Sequence, residues 1–227
     1  MVNSLSLIDA ASLGDLKVYL GRAARVDGGA AVRLIGGMGV LAAYTASLTP
    51  KGLLDSTPTV LGLRTFALSH PEPFDVVVAI RPLLDRLAQA SVMSNASEGN
   101  VEVPLPPVEG GVAWAGVSPP RGGWVATGRI DPRVLEDAAR EGIAEVAAGV
   151  PADPGEHLVH RVRSEVWGRD LPVSVGETDD PTLRIPAGAA FCAVSLGFVK
   201  LDDPVSVFVS GGWSRLSMKR GHVLVRR

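Results

Sequence analysis

The sequence predicts an α+β protein: two linked units of mainly antiparallel sheet with helices packed on it. Helical and strand-like hydrophobic patterns both occur, but without regular βαβ alternation. The stretch between Met93 and Gly123 is rich in Ser, Gly and Pro; both tyrosines lie before it, and all four tryptophans lie after it starts. A chain of 227 residues that is 46% hydrophobic can hold two small cores. We therefore expect units at 1–95 and 112–227, with a Pro/Gly/Ser-rich linker at 96–111.

Residues 1–95 predict one helix, several strands and a closing helix. Apolar residues at helical spacing follow Ser12, and the segment Ala30–Leu48 predicts two strands joined by a tight turn. Thr59–Leu68 alternates as a strand does. Phe74–Ile80 is apolar on both faces, which favours a central strand. Pro82 suits the first turn of a helix that we expect to reach about Ala90.

Residues 112–227 predict four strands and three helices. The helices have apolar stripes or long apolar runs, and the first has the cap Asp131 followed by a proline. The predicted helices are Pro132–Ala148, Glu156–Trp167 and Ala187–Phe198. The predicted strands are Val112–Val117, Gly123–Ile130, Val205–Val209 and Gly221–Arg226.

Charge and location signals are weak. The net charge of −2 gives no global attraction to nucleic acid or anionic membrane. The start of the chain lacks the basic and apolar regions of a signal peptide, and no apolar stretch approaches a membrane span of about 20 residues. These observations predict a cytoplasmic protein.

The single cysteine, Cys192, lies between Phe191 and Ala193 in an apolar run. It excludes an intrachain disulfide and predicts a buried, reduced thiol. The chain has no Gly-x-Ser-x-Gly motif for a nucleophilic serine. The Asp179-Asp180-Pro181 and Asp202-Asp203-Pro204 sequences are better explained by turns and caps than by acid–base chemistry. We predict no cofactor and no metal.

A glycine-rich segment offers one alternative to the prediction that the protein binds no cofactor. Gly37, Gly39 and Ala42 form a Gly-x-Gly-x-x-Ala pattern after an apolar strand, and Gly36 precedes it. In a dinucleotide-binding fold such glycines admit a pyrophosphate at a helix N-terminus, with a carboxylate such as Asp55 on the ribose. The competing interpretation, which we favour, is a glycine-rich hairpin turn.

Two histidines on one predicted helix face form a second candidate. His157 and His160 lie one turn apart, and Arg161 shares their face. Imidazoles at this spacing can share a metal or move protons. A solvated helix face explains the same pattern, and we favour that explanation.

The C-terminal segment is a local basic patch. The last fifteen residues hold five cations and no acid. Phosphates could bind these cations while a base stacks on an aromatic ring. An acidic partner, or the acidic residues of the chain itself, would suit the same patch. The candidate residues are Trp213, Arg215, Lys219 and Arg220, with Arg226 and Arg227 beyond them.

Several stretches resemble conserved hypothetical proteins of high-GC Gram-positive bacteria, the actinobacteria. They include Val60–Leu68, Phe74–Leu87, Pro119–Trp124, Gly142–Val150, Arg161–Gly168 and Trp213–Arg226. The resemblance spans both predicted units and implies no catalytic residues, because no activity is established for that family. The sequence thus predicts a non-enzymatic binding protein that is a homo-oligomer or has a protein partner. Phosphate-cofactor binding and nucleic-acid binding are its alternatives.

Overall fold

The computed structural model describes residues 4–27, 30–52, 54–94, 99–151, 153, 155–171 and 184–227. The chain forms two compact units, each built from two stretches of sequence. The first unit comprises Met1–Ala46 and Leu63–Val117, and the second comprises Ser47–Gly62 and Ser118–Arg227. The second unit therefore includes a segment from early in the chain, which a single boundary along the sequence does not provide.

The first unit has a small sheet and part of a larger one. Strand β1 (Ser4–Leu7) pairs antiparallel with β6 (Val101–Pro104), which lies within the stretch predicted as a linker. The larger sheet has the order β5-β2-β3-β4, with antiparallel pairing of β2 to both β3 and β5. The strands of the larger sheet are β2 (Ala31–Gly37), β3 (Val40–Leu48), β4 (Thr59–Ala67) and β5 (Phe74–Ala79).

Two helices pack together in the first unit, α1 (Ala10–Val26) and α2 (Ile80–Ser94). Asp9 caps α1 by accepting a hydrogen bond from the Ser12 amide at 2.7 Å. Tyr19 is buried, and its hydroxyl lies 2.9 Å from Thr45 Oγ1 and donates to the Ala43 carbonyl. The apolar side of α1 is thereby fixed on strand β3.

The second unit places helices on one continuous run of strands. The second unit contains the last residues of β3 and the first residues of β4. Its remaining strands follow in the sheet in the order β10-β9-β8-β7. All the pairs among β7, β8, β9 and β10 whose register is described are antiparallel. The bounds are β7 (Val125–Ile130), β8 (Val205–Ser210), β9 (Trp213–Met218) and β10 (Gly221–Arg226).

The helices of the second unit are α3 (Pro132–Gly149), α4 (Glu156–Gly168) and α5 (Ala187–Ser195). Asp131 caps α3 as the sequence predicts. The buried Trp167 of α4 stacks on Phe191 of α5 with ring centroids 4.6 Å apart. Gly142 of α3 makes this packing possible, because a Cβ there would lie 2.2 Å from the Trp167 ring.

The mixed α+β class and the mainly antiparallel sheet are confirmed, while three local predictions are wrong. Val112–Val117 is not a strand, because Ala113–Gly116 forms a short 3-10 helix. Strand β5 ends the sheet rather than occupying its centre. A bridge from Val78 to Val108 and a 2.8 Å hydrogen bond from the Glu109 amide to Val77 cover part of its outer edge. Ala187–Phe198 is helical only to Ser195.

Candidate functional site

The glycine-rich segment lies in a β-hairpin. Gly36 and Gly37 belong to β2, and the register Gly37↔Val40 leaves Met38 and Gly39 as a two-residue turn. Both turn residues have positive φ, at 51° and 77°, which is the requirement of a type I′ hairpin turn. The segment that follows is strand β3, so no helix N-terminus is present to bind a pyrophosphate. This geometry does not provide what the dinucleotide hypothesis requires of Gly36, Gly37 and Gly39.

Packing explains the glycine at position 36. Gly36 pairs with Phe74 of β5, and a Cβ on Gly36 would lie 2.1 Å from the Phe74 ring. The absence of a side chain lets the aromatic ring cover the strand. The pattern that resembles a nucleotide motif is therefore a consequence of hairpin and ring geometry.

The histidine pair of α4 is divided between two environments. His160 lies 2.8 Å from Asp55, whereas His157 is exposed. Arg161 is also exposed. Within the described part of the chain, no group of three or more His, Cys, Asp or Glu side chains is arranged to hold a metal.

Asp55 is the centre of a hydrogen-bonded loop. Its carboxylate accepts from the Lys51 amide at 2.8 Å and from the Thr57 amide at 2.9 Å, and it also contacts the Thr57 hydroxyl and His160. Burial raises the pKa of Asp55, but the bonds from Thr57, Lys51 and His160 outweigh it, so the pKa lies well below its usual value. Asp55 thus connects the loop before β4 to helix α4.

A nucleophilic triad has the same three side-chain types as Asp55, His160 and Ser164. These three residues lack the geometry of such a triad. Ser164 Oγ lies 3.3 Å from His160 Nε2, and Asp55 contacts the same nitrogen. A triad needs the hydroxyl and the carboxylate on opposite ring nitrogens, so that the imidazole can accept the proton of the hydroxyl. This cluster holds the loop and the helix together.

The C-terminal candidates do not form one continuous basic patch. Trp213 is buried and cannot stack a base. Lys219 lies at the β9–β10 turn, where its amide donates to the buried Asp203 at 2.9 Å and its ammonium lies 3.7 Å from that carboxylate. Arg227 pairs with Asp170, whereas Arg220 and Arg226 are exposed.

Arg215 has a different environment from the other C-terminal cations. Its guanidinium carbon lies 4.5 Å from the Trp124 ring centroid and 4.6 Å from that of Phe208. Its Nε atom is buried without a hydrogen-bond partner among the described residues. His222 lies nearby on β10, and its Nδ1 is 3.0 Å from the Ser217 hydroxyl. A cationic segment is visible here in the sequence, but the sequence does not indicate that one of its arginines is held by two aromatic rings.

Helix α1 presents a basic face that the sequence analysis did not single out. Leu13, Leu16 and Tyr19 lie on its buried side, while Lys17 and Arg25 are exposed on the other. Neither cation forms an ion pair with another described residue. The signal available in the sequence was the repeat of Lys17, Gly21 and Arg25 at intervals of four residues, which places them on one helix face.

A cavity of about 530 Å³ lies in the second unit beside the turn between β8 and β9. Val125 of the edge strand β7 lines it, as do Arg184 and Arg227. Val125 is 63% exposed, which is high for an apolar side chain on a strand. This edge of the sheet is therefore a candidate contact surface. None of the helices among the described residues is long and apolar enough to cross a membrane.

The fold is similar to that of bacterial DNA polymerase III beta subunits. A putative beta subunit from Eubacterium rectale matches 99% of this chain with a TM-score of 0.54 and 6% identity. The beta subunit from Borrelia burgdorferi, solved with a natural product, matches 98% with a TM-score of 0.50 and 7% identity. This chain spans 64% of the length of each of these proteins. At such identities the likeness concerns the fold alone.

Two family models divide the chain near the boundary between the units. The model described as Domain of unknown function (DUF8010) matches residues 1–116, and the model described as Domain of unknown function (DUF8185) matches residues 119–227. No curated protein matches the chain. These descriptions agree with the expected family without an established activity, whereas an actinobacterial origin stays a prediction. With a match over residues 1–116 of its 227 positions, the chain belongs to the DUF8010 family, and its second part matches DUF8185.

Proposed function

We propose that this chain is a DNA-associated interaction protein of the sliding-clamp type, which acts through binding surfaces rather than through a catalytic site. The proposal is supported by the likeness of 99% of the chain to a putative DNA polymerase III beta subunit. Because the identity is 6%, a surface of this chain itself has to support the assignment.

The basic face of α1 is the observation that carries the proposal. At 3.6 residues per turn, Lys17, Gly21 and Arg25 lie within about 80° around the helix axis. The acid nearest to Lys17 in sequence, Asp15, is engaged by Arg64 at 2.5 Å, and the acid nearest to Arg25 is Asp27. A face with unpaired cations attracts the phosphate backbone of a duplex without reading its sequence.

Two glycines on the same face support a close approach of a ligand. A Cβ added at Gly14 or at Gly21 would meet no atom within 4 Å, so packing does not require glycine at either position. Glycine inside a helix is less stable than alanine by about 0.5–1 kcal/mol. We infer that the absence of a side chain between Lys17 and Arg25 lets a partner come close to the helix backbone.

Self-association or binding of a protein partner belongs to the same proposal. Strand β7 ends the sheet of the second unit, and its outer edge has no strand partner among the described residues. A register shift between Ala126 and Gly128, with Arg129 following, limits pairing along this edge. A specific partner strand beside Val125 is thus favoured over unrestricted aggregation.

The experiment that tests the DNA assignment is a fluorescence anisotropy titration of a labelled DNA duplex. We expect the wild-type protein to bind, and the double variant Lys17→Glu with Arg25→Glu to bind at least about tenfold more weakly, since two phosphate contacts become repulsive. The matched control is Arg133→Glu with Arg161→Glu, which makes the same charge change on exposed helix positions of the second unit. Equal losses in both double variants would contradict a role for α1 in particular.

A further inference from the structure

Among the described residues, Arg215 and the next row of the second-unit sheet contain cations and hydroxyls but no acid. Phe208, Arg215 and Leu224 are cross-strand neighbours on β8, β9 and β10, and Ser206, Ser217 and His222 form the next row. Cross-strand partners project from the same face of a sheet. Trp124 lies over the guanidinium of Arg215 and donates its Nε1–H to the Pro120 carbonyl at 3.1 Å.

Arg215 is a cation without an anion. No described carboxylate lies within ion-pair distance of it, and its buried Nε has no acceptor. The Arg215 side chain as a whole is only half-buried, so a ligand can reach part of it. Unpaired buried polar groups are uncommon in folded proteins, and each one calls for an explanation.

The local field at this place is positive. Burial lowers the pKa of His222, and the positive charge of Arg215 lowers it further. Burial also lowers the pKa of Arg215, but a guanidinium remains charged at neutral pH. A single oxyanion would therefore be attracted here, and the Ser217 hydroxyl lies beside it.

We propose that Arg215, held by Trp124 and Phe208, is a receptor for a carboxylate presented by an acidic segment of a partner protein. The two rings fix the side chain, so little rotational freedom is lost when the planar guanidinium donates hydrogen bonds to both oxygens of a carboxylate. The ring edges offer apolar contact to the residues beside that carboxylate. This inference does not depend on the DNA assignment, because α1 and Arg215 belong to different units.

A protein carboxylate is favoured over a nucleic-acid phosphate because the site offers so few cations. Non-specific binding of nucleic acid combines many phosphate contacts, and its affinity falls steeply with salt. Among the described residues of this face, Arg215 is accompanied by two exposed arginines, Arg226 at the end of β10 and Arg129 opposite Ser206, and by His222, whose pKa is lowered. A single pre-organised arginine suits one planar carboxylate better than a polyanion.

The test uses the whole chain and three labelled probes: an oligoglutamate peptide, the matching oligoglutamine peptide and an oligothymidylate of equal charge. We expect oligoglutamate to bind and oligoglutamine not to bind, and Arg215→Lys should weaken oligoglutamate binding by about tenfold because an ammonium cannot donate to both carboxylate oxygens as a planar fork does. Binding of oligothymidylate, for which α1 is the proposed site, should be the same in Arg215→Lys as in wild type. Arg140→Lys, an exposed arginine on α3, is the matched control and should bind as wild type. The double variant of Lys17 and Arg25 should also bind oligoglutamate as wild type, which separates this inference from the DNA assignment.

Three results would overturn the inference: no binding of oligoglutamate, unchanged oligoglutamate binding by Arg215→Lys, or an equal loss of oligothymidylate binding in that variant. Thermal unfolding monitored by circular dichroism checks that the variant is folded. If it is not folded, the NMR resonance of the Arg215 Nε–H in wild-type protein decides the question. It should move when oligoglutamate is added, and a fixed resonance would count against the site.

Discussion

At the scale of residues, Asp55 shows how a carboxylate can lie beside a histidine and a serine and still serve structure. Its oxygens are occupied by Lys51, Thr57 and His160. Its side chain is 23% exposed, so these bonds are partly shielded from water. The lowered pKa records that folding stabilises the charged form of Asp55.

The first prediction concerns this charged form. A carboxylate whose pKa is lowered on folding stabilises the protein above its unfolded pKa of about 3.9, and this contribution is lost as the pH falls further. We expect Asp55→Asn to reduce the free energy of unfolding by about 1–3 kcal/mol at pH 7. The difference in free energy of unfolding between the variant and wild type should decrease between about pH 4 and pH 2, as measured by urea unfolding at a series of pH values.

The control for this prediction is Asp85→Asn. Asp85 is exposed on α2 and forms no ion pair with another described residue, so its urea midpoint should stay close to that of wild type. If Asp55→Asn reduces the free energy of unfolding by the same amount at every pH down to low pH, the charge of Asp55 is not what stabilises the loop.

The second residue-scale prediction concerns the single cysteine. Cys192 is fully buried in α5, and burial raises its pKa to about 12. Because the thiolate is the reactive form, we expect the native protein not to react with Ellman's reagent at pH 8, and to react at once in guanidinium chloride. The variant Ser56→Cys, with a thiol at an exposed loop position, is the positive control. Rapid labelling of the native wild-type protein would contradict this account.

At the scale of elements, the long periodic segments could be predicted from the sequence. The helices near Pro132 and Glu156 have apolar stripes and recognisable starts, and both are present. Strands β1 and β6 could not be predicted, because each has four residues and gains its stability from the other. The composition of β5 does not show that it is an edge strand, because its apolar residues are shielded by segments far away in sequence.

The hairpin between β2 and β3 shows the limit of motif reading. Gly37-Met38-Gly39 fits both a pyrophosphate loop and a type I′ turn, and the residues that follow decide between them. Val40, Tyr44 and Thr45 favour a strand, and the structure has one. The helix that a pyrophosphate loop requires would begin near Val40 and would have to end before Pro50, which leaves it short.

The element-scale prediction concerns the edge of β7. If Val125 lies in a contact between chains, Val125→Lys should weaken association by at least about tenfold, because a lysine on an edge strand discourages pairing. Val92→Lys is the matched control, since Val92 is also largely exposed but lies on α2. Light scattering coupled to gel filtration measures both variants against wild type. A wild-type protein that is monomeric at every concentration would contradict self-association through this edge.

At the scale of the whole molecule, the sequence predicted a binding protein but not where binding takes place. The charge count drew attention to the C-terminal cations, yet Lys219 and Arg227 are paired within the second unit. The unpaired Lys17 and Arg25 lie in a first unit that is net acidic in sequence, so composition concealed them. Only folding shows which cations already have partners. Likewise, the contact of Arg215 with Trp124 joins residues far apart along the chain.

Whether α1 binds DNA is decided by the affinity of the wild-type protein and of the Lys17→Glu, Arg25→Glu variant for a DNA duplex, measured over a range of salt concentrations. If both cations contact phosphates, the wild-type affinity falls with salt, and the variant lowers the logarithmic slope by about two. We expect this change in slope together with unchanged thermal stability. A wild-type protein that does not bind the duplex at low salt, or a variant with the same affinity and slope, would contradict it.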